Sequence, residues 1–264
     1  TTGRDNVAIG MRSLEENTTA NGNTALGYYA LSDNTTHTAS TAVGYAALQS
    51  SNAPYNTCVG HSCLSNVSSG WGNSAVGYYV GGSMTLGEYN TLFGYASGRD
   101  ITTGDNNVGI GGSSLYYNIT GDNNIAVGFE ALYGSNGQSY SGITAIGHQA
   151  AKANTSQTNT VAIGYRALTA NTSGTDNTAI GYDSLLSNTT GISNVSVGTA
   201  TLESNTTGRY NTAIGKESGG RLSTGTANVF IGSRAGNNDN YREVSNKLVI
   251  ANSNTTTPLI DGDF

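Results

Sequence analysis

The sequence predicts an all-β protein, a repetitive β-solenoid or β-roll of 14 coils with a 17-residue period. Three observations predict it. One glycine returns at a nearly constant interval, the residues around it keep their chemical type, and turn-forming residues fill the remainder. The chain has 37 glycines but few Trp, Phe and Met, which argues against one thick globular core. A thin core that is repeated many times fits this composition.

The repeat is anchored on the glycine that ends strings such as AIG. Successive anchors are 17 residues apart, except for 16 between Gly44 and Gly60 and 19 between Gly128 and Gly147. The anchors are Gly10, Gly27, Gly44, Gly60, Gly77, Gly94, Gly111, Gly128, Gly147, Gly164, Gly181, Gly198, Gly215 and Gly232. Such a short period excludes the common helix-pair repeats and predicts two strands of about five residues joined by two turns.

An aliphatic or aromatic residue directly precedes every anchor and is expected to form the core ladder of the repeat. The ladder residues are Ile9, Leu26, Val43, Val59, Val76, Phe93, Ile110, Val127, Ile146, Ile163, Ile180, Val197, Ile214 and Ile231. The second residue before the anchor is usually Ala, the fourth is usually Asn, and Tyr often follows the anchor. Equivalent residues of adjacent coils would stack about 4.8 Å apart.

The strand strings carry apolar or small residues on both faces, as in NTAIG from Asn177. A sheet with one solvated face would alternate with polar residues instead. One face would therefore fill the interior of the coil. The other is expected to pack against copies of the same chain, because a long exposed apolar stripe is an association surface.

The strings from Asn23 to Gly27, Asn177 to Gly181 and Asn211 to Gly215 resemble the head repeats of trimeric autotransporter adhesins, whose motif reads Asn-Ser-Val-Ala-Ile-Gly. The resemblance covers about residues 5–236. It implies a left-handed β-roll and a homotrimer, with three chains side by side. Those heads commonly have a shorter period, so the additional residues are expected to lengthen a turn.

Residues 1–236 form the predicted repeat domain, and residues 237–264 form a non-repeat C-terminal segment. From Asn246 the text NKLVIANSNTTTPLIDGDF is similar to the segment that follows such repeats in phage tail fibres. In those fibres this segment precedes a self-cleaving chaperone domain. The resemblance implies a downstream domain outside this sequence and an extracellular position, on a virion tail or a cell surface.

The ionisable residues form no pattern typical of a catalytic, metal or cofactor site. His61 and His148 occupy the position after the anchor that is otherwise often Tyr. Asp105 and Asp122 lie in turns of adjacent coils and could supply the carboxylate pair of a glycosidase, although replacement of Asn or Gly is the simpler interpretation. The sequence therefore predicts a non-enzymatic protein without a cofactor.

Cys58 and Cys63 occupy the two small-residue positions of one coil. They are predicted as buried replacements for Ala, with a disulfide across the coil as the alternative in an oxidising compartment. Alternation along the strand would put His61 on the face opposite both cysteines, which argues against a catalytic thiol.

Charge and hydropathy exclude two classes of partner. Eleven basic and 17 acidic residues give a net charge of −6 without a basic cluster, which argues against nucleic acid. No apolar run approaches the roughly 20 residues of a membrane-inserted helix. The irregular coils are the predicted places for binding a cell-surface glycan or an outer-membrane receptor. Their candidate residues are Met84, Tyr89, Tyr133, Asn136, Gln138 and Tyr140.

These observations together predict a structural or adhesive fibre module. It would be a trimeric rod that presents, or contributes to, recognition of a host or cell surface, in a phage tail fibre or a bacterial adhesin. One alternative is an ice-binding solenoid, since Thr ladders can order water, but the paired Thr of NTT fall in predicted turns. The other is a polysaccharide-depolymerase tailspike, which would need an acid pair.

Overall fold

The computed structural model describes residues 2–155 and 158–264. Thr1, Ser156 and Gln157, which the predicted repeat domain includes, lie outside the described residues. The predicted all-β solenoid is confirmed, with about 14 turns and a period of 17 residues. Each of these solenoid coils contributes one three-residue strand that ends directly before an anchor glycine.

The prediction of two longer strands per coil is wrong for the described residues, where turns and bends complete each coil. The backbone explains the difference. After the anchor, two residues recur with left-handed φ, as at Arg12 (60°) and Leu14 (49°). A chain that visits this region at every second residue bends too tightly to extend as a second strand.

Two compact units divide the chain. The N-terminal unit runs to Glu130 and includes Asn136–Ser139, and the C-terminal unit comprises Ala131–Ser135 and Tyr140–Phe264. The strands of the N-terminal unit are β1 (Val7–Ile9), β2 (Thr24–Leu26), β3 (Thr41–Val43), β4 (Thr57–Val59), β5 (Ser74–Val76), β6 (Thr91–Phe93), β7 (Val108–Ile110) and β8 (Ile125–Val127). Those of the C-terminal unit are β9 (Thr144–Ile146), β10 (Val161–Ile163), β11 (Thr178–Ile180), β12 (Val195–Val197), β13 (Thr212–Ile214), β14 (Val229–Ile231), β15 (Lys247–Ile250) and β16 (Ile260–Asp263).

Within each unit, consecutive strands of the repeat pair in parallel, with equivalent positions of the coils opposite one another. Ala8 pairs with Ala25 in the N-terminal unit, and Ala162 pairs with Ala179 in the C-terminal unit. A short 3-10 helix at Asp239–Tyr241 precedes β15. β15 continues the parallel register against β14, and β16 then returns antiparallel to β15. The ladder therefore extends past the last anchor glycine.

The predicted ladder residues do not line the interior of the coils. Residues at two other positions of the repeat do. The second residue before the anchor is buried in every coil after the first, as at Ala25 and Ala179, and the Leu four residues after the anchor packs in the same interior, as at Leu31 and Leu185. The assignment of the residue before the anchor to the core is wrong for the single chain. Neighbouring residues of a strand face opposite sides, so burial of the small Ala turns the larger side chain outward.

Buried asparagines form a ladder through the turn that precedes most of the strands. The Nδ2 of Asn90 donates to Asn73 Oδ1 at 3.1 Å and to the Gly104 carbonyl at 2.9 Å. Its Oδ1 accepts from the backbone N–H and from Nδ2 of Asn107, both at 3.0 Å. A second ladder in the C-terminal unit runs through Asn171, Asn188 and Asn205. Hydrogen bonding of this kind is what makes a buried amide tolerable in a thin core.

Two candidate recognition residues, Met84 and Tyr140, lie in the interior, so the prediction that they are surface residues is wrong. Met84 has the same coil position as Val67 and Ile101, and all three side chains are fully buried. Tyr140 belongs to the coil that has two additional residues, and its hydroxyl donates to the Leu132 carbonyl at 3.0 Å. Burial raises the pKa of this phenol far above its usual value.

Candidate functional site

The most extended candidate site is an apolar surface that we call the outer face. It consists of the side chains that directly precede the anchors. They are Ile9, Leu26, Val43, Val59, Val76, Phe93, Ile110 and Val127 in the N-terminal unit, and Ile146, Ile163, Ile180, Val197, Ile214 and Ile231 in the C-terminal unit. Most are exposed, from 36% for Phe93 to 59% for Ile9, and the others are half-buried.

The strands position the outer face by parallel, in-register pairing. Within each unit an aliphatic side chain therefore lies against the aliphatic side chain of the next coil, as Val59 does against Val76. Two residues earlier in each strand, the same side carries Thr, Ser, Val or Ile, as at Thr57 and Val161. Soluble monomers rarely expose a contiguous apolar stripe of this extent. The outer face is thus chemically suited to association.

A second ladder, formed by the residue after the anchor, flanks the outer face. In the N-terminal unit the rings of Tyr28, Tyr45, His61, Tyr78 and Tyr95 stack in sequence, with centroids 4.7–5.5 Å apart. The C-terminal unit continues the pattern with His148, Tyr165 and Tyr182, with centroids 5.1–5.2 Å apart. Stacked rings of neighbouring coils add to the stability of a sheet. The interpretation of both histidines as ladder replacements is confirmed.

The disulfide alternative is the one that the structure adopts. Cys58 and Cys63 are bonded across one coil, with Cα atoms 5.9 Å apart, and both side chains are fully buried. His61 is exposed on the other side of the chain, as strand alternation predicted. The pair therefore closes one coil of the N-terminal unit.

The acidic residues considered for catalysis serve as turn acceptors. An Asp105 carboxylate oxygen accepts from the backbone N–H of Glu88 at 2.7 Å, and one of Asp122 accepts from that of Asp105 at 2.8 Å. Asn21 makes the equivalent contact with Arg4 at 2.7 Å. Exchange of Asp with Asn at this position is thus explained by a shared hydrogen bond. Among the described residues, no group of three or more His, Cys, Asp or Glu could hold a metal ion.

An open hollow of about 440 Å³ lies in the C-terminal unit, beside Glu203, Glu217, Arg221 and Arg242. A hydrogen bond from Arg234 Nε at 2.8 Å lowers the pKa of the Glu217 carboxyl. A glycosidase acid needs a raised pKa, because it must hold a proton near neutral pH. The ion pair with Arg234 therefore favours a structural role for Glu217.

The remaining candidate recognition residues are accessible to different degrees. Tyr89 and Asn136 are exposed, and Tyr133 and Gln138 are half-buried. The Lys152 ammonium lies 5.9 Å from the centroid of the Tyr133 ring. Gln138 is tied to Asn118 by a parallel β-bridge. Their role in recognition stays a prediction.

Sequence reasoning did not single out Tyr55 and Trp71. The Trp71 ring lies close to the rings of both Tyr55 and Tyr89. Asn, Asp, Gly, Ser and Thr prevail at their two coil positions. Three large aromatic residues in consecutive coils, at positions that are otherwise small or polar, were therefore a signal in the sequence that could have identified this cluster.

Comparison with protein-family models, with curated proteins and with solved structures finds no match for this chain. Nothing in the described part of the chain forms a helix with the length and apolarity needed to cross a membrane.

Proposed function

We propose that this chain is a structural fibre module that associates with copies of itself through the outer face and contributes to recognition of a host or cell surface. The observation that carries the proposal is the exposed aliphatic ladder. It recurs in coil after coil while the interior is filled by Ala, Leu and Asn. A stability requirement within one chain does not explain aliphatic residues at an exposed position.

Burial of the outer face would supply the free energy of association. Each aliphatic side chain that leaves water contributes roughly 25 cal/mol per Å² of apolar surface. Because the ladder is repeated, a symmetric partner can contact it in many coils at once. Homo-oligomers with closed symmetry satisfy such a surface without open-ended growth.

The proposed stoichiometry is a homotrimer with a left-handed roll, extracellular, on a phage tail or a bacterial surface. The support for the number and the setting is the resemblance of the NTAIG strings to trimeric adhesin heads and of the C-terminal text to tail fibres. The partner of the assembled fibre would be a cell-surface glycan or an outer-membrane receptor.

The decisive experiment is sedimentation equilibrium of the purified chain. We expect a mass near three times 27.0 kDa. Val76→Lys and Ile180→Lys put a cation on the outer face of each unit and should dissociate the assembly, since a charge that is buried without a partner is costly.

The matched control is Leu86→Lys, which changes an exposed leucine in a turn rather than on the outer face. It should leave the mass unchanged. A wild-type mass near 27.0 kDa at all concentrations would overturn the proposal, and so would equal dissociation by the control.

A further inference from the structure

A compact aromatic patch in the N-terminal unit interrupts the polar turn that precedes the strands. We call Tyr55, Trp71 and Tyr89 the Trp71 cluster. The ring centroids of Tyr55 and Trp71 are 6.4 Å apart, and those of Trp71 and Tyr89 are 4.6 Å apart. The interplanar angles are 65° and 64°, so successive rings meet edge to face rather than stacking. This differs from the parallel ladder of Tyr28 to Tyr95.

The cluster is accessible. Tyr55 is 58% exposed and Tyr89 is 49% exposed, and Trp71, the single Trp of the chain, is half-buried. Among the described residues, the Trp71 indole N–H and both phenol groups have no hydrogen-bond partner. Large rings with unused polar groups are typical of binding surfaces, because one ring supplies both apolar contact and a hydrogen bond.

The repeat does not require these rings. Gly, Asn or Asp suffices at the same positions in other coils, for example Gly22 and Asn123. Gly72 lies beneath the Tyr89 ring, and a Cβ there would come within 3.1 Å of Tyr89 Cδ1. The buried disulfide closes the coil that follows Tyr55. The cluster is therefore an addition to a rigid scaffold, on the turn before the strands rather than on the outer face.

Acidic groups border the cluster on one side. Glu88 follows Trp71 at the same position of the next coil, and Tyr89 donates its backbone N–H to the Trp71 carbonyl at 3.1 Å. Asp105 continues this column, with its carboxylate beside the backbone of Glu88. Carboxylates accept hydrogen bonds from hydroxyl groups and repel anions.

We infer that the Trp71 cluster binds a neutral glycan, with the C–H face of a pyranose ring against Trp71 and Tyr89 and its hydroxyl groups toward Glu88 and Asp105. A polymer of pyranose rings suits a scaffold whose coils repeat about every 4.8 Å. The acidic border disfavours uronate and sialylated glycans. This inference names the ligand class and the site of the recognition proposed above, and it rests on that proposed function.

Trp71 makes the test direct, because its emission is the only Trp signal of the chain. The probes are cellohexaose, chitohexaose and mannohexaose as neutral oligosaccharides, and hexagalacturonate as the anionic one. We expect a saturable change in emission with at least one neutral probe, with a Kd on the order of 0.1–1 mM. Hexagalacturonate should bind at least about tenfold more weakly.

Variants locate the site. Tyr89→Ala should weaken binding at least about tenfold, whereas Tyr89→Phe should retain most of it, because the ring supplies the contact. Trp71→Ala removes the signal, so its binding is followed by saturation-transfer NMR of the same probe and should be lost. Tyr210→Ala is the matched control, since Tyr210 has a comparable position and 60% exposure but no ring contact among the described residues.

The inference is overturned if no neutral probe changes the emission up to about 10 mM, if Tyr89→Ala binds like the wild type, or if hexagalacturonate binds as tightly. Sedimentation of the same samples separates this outcome from the proposed function. A trimer without glycan binding sinks only the inference, whereas glycan binding by a monomer retains the site and rejects the trimer.

Discussion

At the scale of the residue, the buried asparagines occupy interior positions that apolar side chains fill in most protein cores. Each amide has two N–H donors and one carbonyl acceptor to satisfy, and the neighbouring coils supply partners at the same height. Asn90 uses all of these groups, with Asn73, Asn107 and Gly104 as its partners. The side chain thereby links three consecutive coils of the N-terminal unit.

Asn90→Ala should therefore destabilise the protein by about 2–4 kcal/mol. It removes four hydrogen bonds and leaves buried groups of Asn107 and Gly104 without a partner, each at a cost of roughly 1–3 kcal/mol, which local relaxation reduces. The free energy of unfolding in urea, at fixed protein concentration, measures the effect. Asn136→Ala, on an exposed turn, is the control and should change stability by less than about 0.5 kcal/mol. A loss at Asn90 as small as at Asn136 would contradict the ladder argument.

At the scale of the element, two interior positions of a coil, the second residue before the anchor and the fourth after it, are never both occupied by large side chains. Most coils combine a small residue, commonly Ala, before the strand end with Leu in the following turn. Where Leu92 or Phe230 replaces that Ala, glycine replaces the Leu, at Gly98 and Gly236. A Cβ on Gly98 would lie 2.9 Å from both Cδ atoms of Leu92. Close packing explains the exchange, since the interior has no room for both large groups.

This exchange predicts a compensating pair. Leu92→Ala should cost about 2–5 kcal/mol through the cavity that it leaves, and Gly98→Leu should cost about 1–3 kcal/mol through overpacking. The double variant should recover at least about 1 kcal/mol of the summed loss, because Leu then fills the space left by Leu92. Backbone strain is not the obstacle: Gly98 has φ 58°, and Leu31 adopts 48° at the equivalent position.

The control for this cycle is Leu92→Ala with Gly219→Leu in the C-terminal unit. A Cβ on Gly219 would meet Phe230 and Leu202 rather than Leu92. The two changes should be additive within about 0.5 kcal/mol. Additivity in the Leu92 and Gly98 pair as well would reject the idea of a shared interior volume.

The strands and turns also show which features of the fold can be predicted from the sequence. The period, the end of each strand before the anchor and the turn function of Asn and Gly follow from residue type alone, because stacking repeats them in register. The choice of the buried face does not. Alternation defines two faces, and the aliphatic residues suggested the wrong one, since a coil of this width admits only a small residue such as Ala, Ser or Cys beside the turn Leu. Met84 and Tyr140 were misplaced because other coils carry polar or small residues at their positions, such as Asn171 and Gly191, so apolar periodicity did not mark these positions as interior.

The candidate site could also be predicted only in part from the sequence. The outer face was visible as apolar residues on both sides of each strand, although it was assigned to the interior. The Trp71 cluster depends on rings from three coils that are 16 and 18 residues apart in sequence, Tyr55, Trp71 and Tyr89. Their contact becomes evident only when the coils stack, because the two Tyr and the Trp occupy adjacent rather than identical positions.

At the scale of the whole molecule, the proposed association links stability to concentration. If the outer face is buried between copies, folded chains bind one another and unfolded chains do not. Mass action then raises the unfolding temperature as the protein concentration rises. The ladder residues from Ile9 to Ile231 would contribute to this coupling in both units.

We therefore expect the Tm of the wild-type chain to rise by several degrees over a hundredfold increase in concentration, on the order of 2.7 kcal/mol of linkage at most. Differential scanning fluorimetry or calorimetry across that range measures it, provided that unfolding is reversible. Ile180→Lys should lower the Tm and remove its concentration dependence, because the assembly no longer forms. Leu86→Lys should retain both. A Tm that does not change with concentration in the wild type would mean that the outer face faces water, and the chain would then be stable through its ladders alone.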